Sequence, residues 1–206
     1  MELIMKDQTA RLLADSVLAG VMISIGCTVS LSVGGGIPGA LLFSVGLLGI
    51  CVLQYSLFTG KVCYAKKEDT LRILFILIGN LIGTVGMGFL VRLVKPGLIE
   101  AAGTLSENKL AESWHVIILG ILCNMLIYVA VEGFKREQHS AAGALLLVLC
   151  VMVFILCGFE HSIANSFYLT LGGKIGEART WVWLIMNILG NAVGGLLICR
   201  FTGAGK

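Results

Sequence analysis

Charged residues make up only 13% of this 206-residue sequence, where a soluble domain carries about 25%. Proline occurs twice, at Pro38 and Pro96, and histidine three times, at His115, His139 and His161. No His-x-x-x-His pair occurs, which speaks against a haem or di-metal oxidase. The seven cysteines form no Cys-x-x-Cys pair and mostly lie in apolar stretches, so they read as small packing residues. Neither Gly-x-Ser-x-Gly nor paired aspartates in an apolar segment occur, which speaks against an intramembrane protease. The chain is therefore expected to be no enzyme and to bind no metal or cofactor. Its net charge of +3 asks for no nucleic-acid partner.

What is abundant is apolar surface. Hydrophobic residues are 57% of the chain, and mean hydropathy is +0.96. Disorder and disulfide-rich secreted folds are excluded, and a multi-pass membrane protein remains. Residues 1–15 carry mixed charge and no apolar core followed by a cleavage site, so no cleavable signal peptide is expected. Glycine, at 27 residues, suits close helix–helix contact inside a bilayer.

The few charges divide the chain. No charged residue lies between Asp15 and Lys61. That stretch is about two crossings of ~20 residues each, split by Gly34-Gly35-Gly36-Ile37-Pro38-Gly39, a turn signal. Spans are expected at roughly 12–33, 38–56, 73–91, 113–131, 140–159 and 180–199. Residues 92–112, with charges and Pro96, read as a long loop. Ten Lys and Arg (6, 11, 61, 66, 67, 72, 135, 136, 200, 206) fall on one side and five (92, 95, 109, 174, 179) on the other. The positive-inside rule then places both termini in the cytoplasm of a plasma-membrane protein.

The two halves echo each other. Gly79-Asn80-Leu81-Ile82-Gly83 in the third span matches Gly190-Asn191-Ala192-Val193-Gly194 in the sixth. The second and fifth spans both end in polar interruptions, Ser56 to Gly60 and Glu160 to Asn165. Three spans per half invert one half relative to the other, and broken helices at matching positions mark a midplane site. Packing alone also accounts for Gly and Asn in such helices. Glu160-His161 has two readings: an ionisable pair at a helix break facing a cavity, or a span end with an interfacial histidine.

Leu57-Phe58-Thr59-Gly60, Gly79-Asn80-x-x-Gly83, Ile121-Leu122-Cys123-Asn124, Glu160-His161-Ser162-Ile163-Ala164-Asn165 and Gly190-Asn191-x-x-Gly194 occur in an order that resembles the formate/nitrite transporter family. The resemblance runs from about residue 12 to 201, and the Glu-His-Ser-Ile-Ala-Asn block is its most specific part. It implies an all-α membrane protein with one six-span pore domain over 1–206 and inverted three-helix repeats at roughly 12–94 and 113–201. The resemblance further implies that the second and fifth helices are interrupted, that the protomer is aquaporin-like, and that five protomers form a homopentamer. It implies a substrate pathway through Thr59, His161 and Asn124. One constriction is implied at Leu57 and Phe58, and an outer one at Phe43 and Phe154.

Function follows as passage of small monovalent anions of weak acids (formate, nitrite or hydrosulfide), by channel or proton-coupled carrier. His161 either pairs, protonated, with the anion, or delivers a proton so that the substrate crosses as neutral acid. Asn80, Asn191 and Asn165 are expected as structural polar support. Glu160 is expected to bond backbone amides of the broken helix rather than touch substrate, and the outer basic residues to be solvated loop charges. Departures are the Tyr55-Ser56 before Leu-Phe-Thr, where an acidic or small residue is usual, and a short N-terminal segment. A channel for water or small neutral solutes is the alternative, although its paired Asn-Pro-Ala signature is absent.

Overall fold

A computed structural model describes residues 2–111, 113–137 and 140–203, with side chains in the first helix from Gln8 onward. His139 and Lys206, counted above, lie outside the described residues, and of Lys6 only the backbone is described. Nine α-helices follow one another among them: α1 (Glu2–Ser32), α2 (Gly36–Leu53), α3 (Phe58–Val62), α4 (Thr70–Val94), α5 (Ile99–Ala111), α6 (His115–Arg136), α7 (Ala141–Leu156), α8 (Ser162–Leu171) and α9 (Ala178–Thr202). Five of the described segments are long and apolar enough to cross a membrane: Gln8–Ser32, Gly36–Leu53, Lys67–Val94, His115–Arg136 and Ala178–Thr202. The shorter α7, Ala141–Leu156, is also apolar.

The turns are where the sequence placed them. Gly34, Gly35 and Gly36 all have positive φ, a conformation that side chains with a Cβ resist, and they reverse the chain between α1 and α2. Pro38 falls in the first turn of α2, where no intrahelical N–H bond is lost. The second apolar segment stops at Gln54 and resumes as the short α3. The fifth ends at Leu156, with Cys157 as its cap, and resumes as α8.

Residues 92–111 are not the long loop expected over 92–112, whose last residue lies outside the described ones. Pro96–Leu98 form a single 3-10 turn, and α5 follows. Its mixed charge hides it in a hydropathy reading, yet Ala102 and Ser106 are buried, and Ser106 donates to the Tyr168 carbonyl of α8 (3.0 Å).

Close packing explains the paired glycines. A Cβ at Gly83 would overlap the Val17 carbonyl of α1, and one at Gly194 the Ile121 carbonyl of α6. The two G-N-x-x-G motifs are thus the crossings of α1 with α4 and of α6 with α9, made at backbone contact. Outward surfaces carry large apolar side chains such as Leu71, Leu93 and Phe201, as a lipid-facing surface requires.

Two faces can be told apart. On one, Tyr64 beyond α3 donates to Glu132 near the end of α6 (2.5 Å), and Tyr128 meets Thr202 of α9 (2.6 Å). On the other, Arg92 at the end of α4 donates to the Leu171 carbonyl at the end of α8 (2.8 Å). That bond satisfies a carbonyl left open by a helix end. The half-helices α3 and α8 therefore run to opposite faces and begin in the interior.

Candidate functional site

Two asparagines hold the two breaks in the same way. Asn80 Oδ1 accepts the Phe58 N–H at the start of α3 (2.7 Å), and its Nδ2 donates to the carbonyls of Ser16 (2.7 Å) and Ser56 (2.9 Å). Asn191 Oδ1 accepts the Ser162 N–H at the start of α8 (2.9 Å), and its Nδ2 donates to the carbonyls of Gly120 and Glu160 (both 2.9 Å). In each half, the asparagine of the last long helix satisfies the first N–H of the half-helix, the carbonyl two residues earlier, and a carbonyl of the first helix. Interrupted backbone at this depth needs such partners, and the amide supplies both kinds at once.

The two starts meet. His161 caps α8: its Nδ1 accepts the Ala164 N–H (3.2 Å). With Nδ1 committed as acceptor, the neutral ring carries its proton on Nε2. Nε2 lies 3.1 Å from Thr59 Oγ1 on α3 and donates to it. Thr59 is fully buried and His161 nearly so. Phe154 stacks on the His161 ring at 5.9 Å, and Phe43 meets Phe154 edge-on, also at 5.9 Å. Leu57 and Phe58, which precede Thr59 in the chain, are buried as well, and Leu57 also lines a cavity of about 240 Å³ with Lys61 and Lys135.

Glu160 does something other than expected. Its Oε2 accepts from Lys109 Nζ (2.6 Å) and from Asn165 Nδ2 (2.7 Å), so the carboxylate serves side chains. Among the described residues no backbone amide bonds it. Asn165 Nδ2 also donates to Asn187 Oδ1 (2.7 Å), and Asn187 Nδ2 donates to the Glu160 carbonyl (2.8 Å). A buried carboxylate needs a partner charge, and Lys109 on α5 provides it.

Two further basic residues near α5 are also paired. Lys174 pairs with Glu107 and Glu177, and Arg179 with the same two acids. Lys109, paired with the buried Glu160, departs from the expectation of a solvated loop charge, whereas the pairs of Lys174 and Arg179 lie at the surface. Hydrogen bonds from Lys174 and Arg179 hold the Glu107 carboxyl below its ordinary range, and those from Arg179 and Lys174 do so for Glu177.

Asn124 is fully buried between helices, with Nδ2 donating to the Asn191 carbonyl (2.7 Å). Its Oδ1 has no partner among the described residues, and neither has the buried hydroxyl of Ser162, next to His161 in the chain. Sequence reasoning missed Ser162, Asn187 and the pairing of Lys109. Asn187 had a signal: it stands four residues before Asn191, on the same helix face.

The formate/nitrite transporter family model matches residues 2–203. The chain belongs to the formate/nitrite transporter family. Among curated relatives, it is 29% identical over 208 residues to the uncharacterized transporter YrhG of Bacillus subtilis, covering 86% of this chain and 78% of the relative. It is 27% identical over 207 residues to the formate channel BtFdhC of Bacillus thuringiensis, covering 86% and 80%. A solved pentameric formate channel with formate bound superposes with a TM-score of 0.83 at 25% identity, covering 97% of this chain and 96% of that one. The all-helical fold and the role in anion transport follow from this membership.

Proposed function

We propose that residues 1–206 form one pore domain, with inverted repeats at roughly 12–94 and 113–201, that passes small monovalent weak-acid anions of the formate, nitrite or hydrosulfide type. The observation that carries this reading is the buried Thr59–His161 hydrogen bond of 3.1 Å where two half-helices begin. There a hydroxyl and an imidazole meet at the point where the breaks of both repeats converge. Phe43 and Phe154 form the outer constriction, and Leu57 and Phe58 the inner one. A bare charge entering such apolar slits loses hydration worth several kcal/mol. The unpartnered Asn124 Oδ1 and Ser162 hydroxyl support a path that offers polar contacts to water or solute.

As held here, His161 donates a hydrogen bond and cannot yield a proton. To yield one it must first gain one at Nδ1, which breaks its bond with the Ala164 N–H. The Thr59 hydroxyl proton stays available to an anion at the centre. Proton delivery by His161 thus requires it to leave its capping role for a moment. The pore assembles as a homopentamer in the plasma membrane, with both termini cytoplasmic by the lysine and arginine distribution.

The test is flux of formate, nitrite and hydrosulfide into proteoliposomes at two pH values, for the native protein and for His161→Asn. Asparagine is a good helix cap but carries no titrating proton. We expect native flux, and in the variant a flattened pH dependence with the pentamer intact. No flux of any small anion from a folded native pentamer sinks the transport reading.

A further inference from the structure

Lysines on the two faces differ in their partners. Lys109 and Lys174 on the outer face are paired with carboxylates. Lys61, two residues after Thr59 on α3, has an ammonium group with no hydrogen bond or ion pair among the described residues. It lines the cavity of about 240 Å³ whose other walls include Leu47, Ile50, Leu57 and Phe134, with Lys135 as the second cation. Lys135 Nζ lies 4.1 Å from the centre of the Tyr64 ring. The nearby Glu132 is already taken by Tyr64 and Arg136. Arg72 adds to the positive field at Lys61, and Asp15 opposes it.

We propose that this cavity, at the inner mouth below Leu57, binds a small anion bearing a short alkyl tail, with Lys61 as its main charge partner. This rests on the transport reading for its consequence, since an anion held there obstructs the pore. A water occupies about 30 Å³ of liquid volume, so the cavity exceeds what formate fills, and its apolar walls favour a tail over more water. Two ammonium groups on its lining, with no carboxylate among the lining residues, supply the attraction.

The probe is propane-1-sulfonate, which stays ionised and cannot cross lipid as a neutral acid. Two readouts are used on the purified pentamer: ligand-observed NMR binding, and block of formate flux when the probe is applied to one face at a time. Binding is expected in the native protein, with block from the inner face alone. Lys61→Gln is expected to weaken both about three- to tenfold, whereas Lys61→Arg retains them. Cys51→Phe, which shrinks the cavity without changing charge, weakens them as well. Equal binding in native and Lys61→Gln overturns the proposal, as does equal block from both faces. Binding that behaves as expected without any formate flux overturns only the transport reading.

Discussion

Asn191 satisfies three backbone groups with one side chain, and Asn80 does the same in the other half. Replacing either by Ala leaves an N–H and two carbonyls short of partners, at about 3 kcal/mol. Thermal unfolding of the purified protein should shift down for both variants, and a shift in only one would break the equivalence of the two breaks. Lys109 poses a different case. Lys109→Met leaves Glu160 buried without its counter-charge, costing about 3–5 kcal/mol. Adding Glu160→Gln removes that charge while keeping an acceptor for Asn165, so the double variant should recover most of the lost stability in the same melt.

Among the helices, α4 offers an internal control. Gly83 touches α1 at backbone distance, whereas a Cβ at Gly86 would meet nothing. Gly83→Ala should disrupt the α1–α4 crossing and reduce the yield of monodisperse protein on size exclusion. Gly86→Ala should hold or raise stability, by about 0.5–1 kcal/mol, because Ala favours helix over Gly. The link between α5 and the start of α9 responds to pH. Glu107 and Glu177 are held below the ordinary carboxylate range by Lys174 and Arg179. A depressed carboxyl stabilises above its unfolded value of about 4.3 and loses that contribution as pH falls through its folded value. Hydrogen-exchange protection factors across residues 99–111, with the intrinsic pH dependence of exchange divided out, should therefore fall on acidification below about pH 4, with no change between about pH 6 and 8.

For the molecule as a whole, orientation is the first matter to measure. In a Cys157→Ser background, Asn108→Cys should react with a membrane-impermeant maleimide in intact cells, and Ser140→Cys only after permeabilisation. The opposite pattern overturns the cytoplasmic placement of the termini. Much of this architecture was legible in the chain. Uncharged runs marked the long helices, Gly34 to Gly36 marked a turn, and the two G-N-x-x-G motifs marked equivalent crossings. Helix α5 was not legible, because its charges and small residues resemble a loop until Ala102 and Ser106 find α8.

Sequence by itself determined a helical membrane protein, because an apolar run in lipid can satisfy its backbone only as helix. It also singled out Asn80 and Asn191 through a repeated motif, and Thr59 and His161 through the resemblance to a known family. Only the tertiary structure decided their partners. Thr59 and His161 are 102 residues apart, and Lys109 reaches Glu160 across 51. Hydrogen bonds and ion pairs form over about 3 Å, a distance that depends on how helices cross and that no local spacing in the chain encodes.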